Sequence, residues 1–209
     1  MRIEIMKKYN CLFIDLDGPI IDGKYRHYYC YKDIINYYGG VPIDIELYWN
    51  MKRDRVNIKT ILKESQFNEP HEKFMEIWLD NIERNDYLKY DYLKPDIVNT
   101  INRFKESAES IYLITMRNNH NNLMMQLQHL SINNVFNKVL VCNSDDYQPK
   151  YKLIKTELYG IGVIIGDTEI DMEAANLLNT RFIGIRNGLR NYKVFEGIES
   201  YEELYMVIL

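Results

Sequence analysis

Short apolar runs alternate with helical patterns along most of the chain. The first run, residues 11–14, stops at Asp15, and a run of this kind is typical of a strand buried on both faces of a parallel sheet. Similar runs recur at residues 111–114, 139–142, 163–165 and 182–185. Apolar residues at helical spacing, such as Leu123 and Leu127, separate these later runs. The alternation predicts βαβ units and an α/β fold with a doubly wound parallel sheet.

Residues 20–92 depart from this alternation and carry only helical patterns. Tyr28, Tyr31 and Ile35 share one helical face, and the glycines at residues 39–40 would end that helix. We therefore predict an all-helical cap at residues 20–92. It would be inserted after the first strand of an α/β core formed by residues 1–19 and 93–209.

Composition and charge exclude several classes of protein. The chain has 209 residues, 46% of them hydrophobic and 27% charged, with a net charge of -4. Such a balance is ordinary for a folded globular protein. Nucleic-acid backbones require clustered Lys and Arg, so we expect no nucleic-acid partner. No specific protein partner is evident from the sequence.

The cysteines and the apolar runs bear on location. Cys11, Cys30 and Cys142 are odd in number and scattered, so they predict no disulfide framework and favour a reducing, cytoplasmic environment. No segment approaches the roughly 18 consecutive apolar residues that a membrane-spanning helix needs. We therefore expect no association with a membrane. The four histidines show no ligand spacing, which argues against a zinc site.

Two carboxylates follow the first predicted strand. Alternation along an extended chain lets Asp15 and Asp17 point the same way, and Gly18 allows a tight turn after them. In open α/β sheets, ligands bind at this carboxyl edge of the strands. Two neighbouring carboxylates repel each other, so they require a cation or a shared proton.

A second acidic cluster indicates which cation Asp15 and Asp17 would bind. Asp167 ends the fourth core strand, and Asp171 follows one helical turn later. Asp15, Asp17 and Asp167 would offer three hard oxygen ligands at one edge of the sheet. Such a set suits Mg²⁺ that keeps several of its waters.

Other residues at the same edge could bind a phosphate. Thr115 ends the second core strand, and its hydroxyl could act together with free amides at the start of the next helix. Lys150 or Lys152 precedes the fourth strand and would offset the negative charge of carboxylates and phosphate. Lys150 lies four residues before the apolar Ile154, on the face of the helix predicted to be buried. Lys152 would point away from that face and remains the alternative.

These pieces, in this order, resemble the motifs of the haloacid dehalogenase superfamily, in its phosphatase branch. Residues 15–18 are similar to the first motif, Thr115 to the second, Lys150 to the third and residues 166–171 to the fourth. The resemblance covers the whole chain. The insert is similar in position to the helical cap of phosphoglycolate phosphatase-like members. Pro19, where Thr is commonest, and Gly23, where Ser is common, depart from the pattern.

The resemblance implies a Mg²⁺-dependent phosphatase that acts on a small phosphorylated metabolite. Asp15 would be the nucleophile that forms an aspartyl-phosphate, and Asp17 the general acid and base. The magnesium ligands would be Asp15, Asp17 and Asp167, with Asp171 behind them in support. The implied phosphate-binding residues are Thr115, Met116, Arg117 and Lys150, and Lys150 is also implied in catalysis.

Several alternatives stay open at this stage. Residues 117–119 could contact the substrate, or Asn118 could cap the following helix. Tyr25, Arg26 or Tyr29 could face the site, although most of the Tyr-rich stretch is expected to pack the cap. Arg53 and Arg55 could contact an anionic substrate or lie on a solvated helix edge.

Other functions on the same core also remain possible. A phosphomutase would use the same residues, and a non-catalytic phosphate-binding protein would be expected to have lost one of the three acidic ligands. A dehalogenase is disfavoured, because members with that activity lack the second Asp of the first motif. The sequence does not name the substrate, since the loops of the cap determine it.

Overall fold

The computed structural model of the chain contains a parallel sheet flanked by helices, and a block of five further helices in the segment predicted to form the cap. The structure describes residues 7–143 and 146–209, and the backbone alone at residue 192. The strands are β1 (Tyr9–Asp15), β2 (Ile21–Asp22), β3 (Tyr92–Leu93), β4 (Ala108–Met116), β5 (Lys138–Cys142), β6 (Gly162–Gly166), β7 (Arg181–Ile185) and β8 (Ser200–Tyr201). The α-helices are α1 (Lys24–Tyr37), α2 (Ile45–Arg53), α3 (Ile58–Glu64), α4 (His71–Ile82), α5 (Asn85–Leu88), α6 (Ile97–Ser107), α7 (His120–His129), α8 (Pro149–Glu157) and α9 (Glu169–Leu177).

Six strands form one parallel sheet in the order β5-β4-β1-β6-β7-β8. From β1 the chain moves outward on one side to β4 and β5, and then crosses to β6 on the other side. The strand order therefore reverses next to β1, and the carboxyl ends of β1 and β6 flank the crevice at this switch point. The predicted doubly wound sheet is confirmed, and the chain places Asp15 and Asp167 on either side of the crevice.

Both faces of the sheet are covered, which explains the continuous apolar runs. In β1, Leu12 and Ile14 belong to one buried cluster, while Cys11 and Phe13 belong to another on the opposite face. Helices α6 and α7 pack into the first cluster, and α8 and α9 into the second. A strand with helices on both faces has no polar side to alternate with, so the pattern of period two is lost.

The cap has its own apolar centre. Tyr31, Tyr48 and Phe74 are buried there, and the rings of Tyr31 and Tyr48 stack with their centroids 4.3 Å apart. The Tyr31 hydroxyl contacts Ser65 Oγ at 2.6 Å and accepts a hydrogen bond from the backbone N–H of Ile43 at 2.9 Å. The tyrosines thus fill the cap core with their rings and satisfy their hydroxyls locally.

A short antiparallel ladder joins the two segments that connect cap and core. Ile21 pairs with Leu93, and Asp22 pairs with Tyr92. The backbone N–H of Lys94 extends the contact by donating to Ile20. The sequence did not predict these strands, because two residues are too few to show a period. The exact division of the chain at residues 20 and 93 stays a prediction.

Two further features concern the chain as a whole. Cys11, Cys30 and Cys142 are all buried and free, as the scattered spacing predicted. Within the described ranges, none of the helices combines the length and the apolar character that crossing a membrane requires.

Candidate active site

Lys150 lies between two carboxylates at the carboxyl edge of the sheet. Its Nζ is 2.9 Å from Asp15 Oδ2 and 2.6 Å from Asp171 Oδ1, and all three side chains are buried. Pro149 begins α8, so Lys150 follows in its first turn, on the same face as the buried Ile154. Lys152 is exposed. The structure therefore brings Lys150 to the site and leaves Lys152 outside it.

Both oxygens of Asp15 are held in place. Oδ2 contacts Lys150, and Oδ1 accepts a hydrogen bond from the backbone N–H of Leu16 at 2.9 Å. Burial raises the pKa of Asp15 to about 7, opposed by Lys150 and reinforced by Asp171 and Asp17. Burial alone would lower the pKa of Lys150, but Asp15 and Asp171 together raise it, so Lys150 stays charged. A further cation at this point would favour the ionised form of Asp15.

Asp167 is enclosed by two glycines. A Cβ atom at Gly18, whose φ is +91°, or at Gly188 would lie 2.2 Å from Asp167 Oδ2, so neither position has room for a side chain. Asp167 Oδ2 accepts a hydrogen bond from the backbone N–H of Leu189 at 2.5 Å. Its Oδ1 is buried without a hydrogen-bond partner among the described residues. Burial, followed by Asp15 and Asp171, raises the pKa of Asp167 well above its ordinary value.

The acidic cluster fits a hard divalent cation. Oxygen atoms of Asp15, Asp167 and Asp171 all lie within 4.8 Å of one another. Asp167 Oδ1 has no hydrogen-bond partner among the described residues, and burying several carboxylates together is unfavourable without a compensating charge. Carboxylate oxygens are the ligands that Mg²⁺ prefers. The residues present therefore suit the predicted magnesium ion.

Asp171 has a second fixed contact besides Lys150. It lies in the first turn of α9, where its Oδ2 accepts hydrogen bonds from the Thr168 hydroxyl at 2.7 Å and from the Thr168 backbone N–H at 3.2 Å. This capping box explains why an acidic residue stands one turn into the helix. Asp171 is thereby oriented toward the other two carboxylates. The sequence had predicted it in a supporting position behind the ligands.

Asp17 lies apart from this cluster. Its carboxylate pairs with Arg117, whose Nη2 is 2.7 Å from Oδ2, and with Arg26 of the cap, which contacts Oδ1. Burial opposes the ionisation of Asp17, but Arg117 and Arg26 outweigh it and hold its pKa well below the usual range. The structure thus groups Asp171, rather than Asp17, with Asp15 and Asp167. The assignment of the Asp17 carboxylate as a metal ligand stays a prediction.

Arg26 connects the cap to the core through buried charges. Its side chain is only 2% exposed, and its Nε lies 3.3 Å from Asp91 Oδ1. Asp91 Oδ2 in turn accepts a hydrogen bond from Gln126 Nε2 of α7 at 2.6 Å. Burial raises the pKa of Asp91 to about 6, although Arg26 acts to lower it. Of the three cap residues considered from sequence, Arg26 reaches Asp17 in the loop after β1, whereas Tyr25 is exposed and packs on Tyr29.

The end of β4 and the loop after it supply polar groups close to these carboxylates. Thr115 is fully buried, and its hydroxyl has no hydrogen-bond partner in the described part of the chain. Such a hydroxyl is available to a ligand, which is consistent with the predicted phosphate site. Arg117 pairs with Asp17. Met116, which lies between Thr115 and Arg117 in the chain, is half-buried and packs against one of the core clusters. The phosphate-binding roles of these residues stay predictions.

The start of α7 is held by the cap. Glu83 accepts hydrogen bonds from the backbone N–H groups of Asn118 and Asn119, the latter at 2.7 Å. The residue that caps α7 is Asn119, which accepts from the N–H of Asn122 at 2.9 Å, so the interpretation of Asn118 as the cap is wrong by one residue. Only tertiary structure could place Glu83 here, because it follows α4 in the cap.

Asp91 and Glu83 were not singled out from the sequence, and neither belongs to a recognisable motif. Both are cap residues whose partners are 35 or more positions away along the chain. The arginines considered as substrate contacts are also used between cap and core. Arg53 Nη2 donates to the Arg186 carbonyl at 2.6 Å, and Arg55 pairs with Glu169 at 2.9 Å.

The fold and the site together define a class of protein, in which a parallel α/β core carries a buried acidic site next to a helical insert. The family model that matches the chain is that of the haloacid dehalogenase-like hydrolases, over residues 12–185. The chain belongs to this family. No curated protein matches the chain in sequence.

Solved structures of similar fold cover nearly the whole chain. A predicted phosphoglycolate phosphatase from Haemophilus somnus is 15% identical with a TM-score of 0.72, and the match covers 96% of each chain. A predicted phosphatase from Clostridium acetobutylicum is 16% identical with a TM-score of 0.67, covering 93% of this chain and 94% of that one. A Thermotoga maritima protein named as a beta-phosphoglucomutase is 13% identical with a TM-score of 0.64, covering 94% and 95%. At these identities the likeness shows the shared fold.

Proposed function

We propose that the protein hydrolyses a small phosphomonoester in a Mg²⁺-dependent reaction that passes through an aspartyl-phosphate on Asp15. The observation that carries the proposal is the arrangement of Asp15, with one oxygen on Lys150 and the other on the Leu16 N–H, beside a compact group of buried carboxylates. An oriented, desolvated carboxylate is a competent nucleophile toward a bound phosphoryl group.

Asp15 and Asp167 would hold the magnesium ion, with Asp171 as the third carboxylate nearby. When bound, the ion supplies positive charge that favours the ionised form of Asp15 and offsets charge on the phosphoryl oxygens. Lys150 contributes a fixed positive charge 2.9 Å from Asp15 Oδ2. The unpartnered Thr115 hydroxyl would donate a hydrogen bond to the phosphate.

Asp17 would move the protons of the reaction. In the first step it would protonate the leaving oxygen, and in the second it would accept a proton from the water that cleaves the aspartyl-phosphate. Its pairing with Arg117 and Arg26 favours the ionised form that the second step needs. The first step needs the protonated form, and the proton that Asp17 takes from water in the second step would serve for the next turnover. That form would be favoured if Arg117 transferred its contact from Asp17 to the incoming phosphate, which the sequence resemblance implies that it binds.

The test is phosphate release from a panel of phosphorylated metabolites in the presence of Mg²⁺, combined with acid quenching and mass spectrometry of the protein. We expect release of inorganic phosphate and a transient phosphoryl adduct on the peptide that contains Asp15. Return of the phosphoryl group to another position of the substrate, without release, would instead identify a phosphomutase. A folded protein with neither release nor adduct would indicate a non-catalytic phosphate-binding protein.

A further inference from the structure

A cavity of about 310 Å³ lies where the cap meets the core. The cap supplies most of its wall, and the core contributes two consecutive residues. The lining residues are Tyr48, Lys52, Arg55, Val56, Ile58, Ile61, Phe74, Met75, Trp78, Leu189 and Arg190. The wall is thus aromatic and aliphatic with three cations, a mixture typical of a site for a small organic anion.

The cavity adjoins the carboxylate site. Leu189 lines it and also donates its backbone N–H to Asp167. On the cap side, the Trp78 ring lies 5.5 Å from the ring of His27, which lines a smaller space beside Asp17. Leu189 lines both spaces, so the cavity lies next to the space beside Asp17 and Asp167.

Two of the three cations are already paired. Glu169 binds Arg55 at 2.9 Å and Arg190 at 2.8 Å. Lys52 forms no ion pair with any described residue, and its Nζ lies 4.9 Å from the centroid of the Trp78 ring. Burial, followed by Arg190 and Arg26, lowers the pKa of Lys52 to about 8. An anion beside Lys52 would offset the repulsion between its ammonium group and these arginines. The cavity therefore favours the binding of a negatively charged group.

We propose that this cavity holds the leaving group of the substrate and that Lys52 pairs with a second anionic group carried by that leaving group. The inference rests on the proposed phosphatase function and narrows its substrates to phosphomonoesters with a second carboxylate or phosphate. The volume is at the lower end for ligand sites, which favours a short chain. Tyr48, Phe74 and Trp78 provide the apolar wall for its carbon atoms.

The experiment compares matched substrates in wild-type protein. Carboxyalkyl phosphates of increasing length are each paired with the hydroxyalkyl phosphate of the same length, and alkyl bisphosphates separate a phosphate preference from a carboxylate preference. We expect kcat/KM to favour an anionic member by about tenfold or more, the size of a charge-assisted contact. The neutral partners set the reference for catalysis at Asp15.

Variants assign the preference to Lys52. In Lys52→Met the anionic substrates should lose about tenfold or more in kcat/KM, mainly through KM, while the neutral substrates stay within about twofold. Lys52→Arg should restore most of the preference, because it returns the charge. Lys59→Met is the matched control, since Lys59 is an exposed lysine of the neighbouring helix α3 and lies outside the cavity wall.

Equal use of anionic and neutral substrates by wild type, or an unchanged preference in Lys52→Met, would overturn the inference while leaving the phosphatase function intact. If no substrate releases phosphate, the proposed function fails, and calorimetric titration of the same compounds decides the inference separately. Tighter binding of the anionic members, abolished by Lys52→Met, would then support the cavity as an anion site. Equal binding would overturn it.

Discussion

The guanidinium of Arg26 in the cap pairs with the partly exposed carboxylate of Asp17 in the core, and the same side chain lies 3.3 Å from the fully buried carboxylate of Asp91. Each partner comes from a different part of the chain: α1, the loop after β1, and the segment before β3. Buried charges of this kind are costly to separate, because each loses water without a replacement. The contact therefore couples the position of the cap to the position of the predicted proton donor.

Arg26→Met should destabilise the protein, because Asp91 is left buried without its cation. We expect the free energy of unfolding to fall by about 3–5 kcal/mol, measured by urea denaturation. Adding Asp91→Asn should recover part of that loss. The matched control is Arg84→Met, which removes an exposed pair with Asp86 and should change stability by less than about 1 kcal/mol. A similar decrease in the free energy of unfolding in Arg26→Met and Arg84→Met would contradict the structural role assigned to Arg26.

Asp15→Asn should abolish turnover while the fold survives. The amide is nearly the same size as the carboxyl group but cannot form the aspartyl-phosphate. Because burial raises the pKa of Asp15 to about 7, the site already accommodates an uncharged side chain at this position. Activity should fall below about one percent of wild type, a loss of about 3 kcal/mol or more. Steady-state phosphate release gives the activity, and circular dichroism checks the fold. Retention of more activity than this would rule out covalent catalysis at Asp15.

The two lysines near the start of α8 should differ sharply. Lys150→Ala removes the cation between Asp15 and Asp171 and should cost several kcal/mol of transition-state stabilisation. Lys152→Ala changes only an exposed side chain, so its kcat/KM should stay near wild type. Thermal unfolding of both variants separates loss of catalysis from loss of folded protein. A larger loss of kcat/KM in Lys152→Ala than in Lys150→Ala would mean that the opposite face of α8 is turned toward the site.

Activity should depend on Mg²⁺ and disappear in EDTA. Ca²⁺ should support turnover poorly, since it takes more ligands at longer distances and would displace the phosphoryl group relative to Asp15. Phosphate release in the presence of each ion measures this directly. Full activity in a strong chelator would remove the metal from the mechanism.

The stability of the metal-free protein should depend on pH through Asp15. Its pKa is about 7 in the folded protein, against an ordinary value of 3.8, so the folded state keeps a proton that the unfolded chain has lost. The free energy of unfolding should therefore fall as pH rises from about 4 to about 7, by at most about 1.4 kcal/mol per pH unit for this group.

Mg²⁺ competes with that proton, so it should raise the melting temperature more at pH 8 than at pH 5. In Asp15→Asn, residue 15 should no longer contribute to the change of the free energy of unfolding with pH. The contribution of Asp91, whose pKa is about 6, should remain. Melting curves in EDTA and in Mg²⁺ provide the measurement. An identical effect of Mg²⁺ at both pH values would contradict the assignment of Asp15 as a ligand.

Local patterns in the sequence were enough to predict the strands of the core and the edge of the sheet where the site lies. Buried strands appear as apolar runs, and their carboxyl ends are marked by Asp15, Thr115 and Asp167, which the parallel sheet must gather at one edge. The helical period of 3.6 likewise placed Lys150, and not Lys152, on the buried face of α8. These inferences needed no knowledge of distant contacts.

Tertiary structure alone decided which charges meet. The sequence predicted Asp17 beside Asp15 and Asp167, with Asp171 behind them. In the structure Asp17 pairs with arginines from the cap and from the loop after β4, whereas the capping box orients Asp171 toward the other two carboxylates. Of the three cations that line the cavity, Lys52 forms no ion pair with a described residue, and no sequence motif marks it. Ion pairs between segments far apart in the chain leave no periodic trace in sequence, because they depend on how the cap packs against the core.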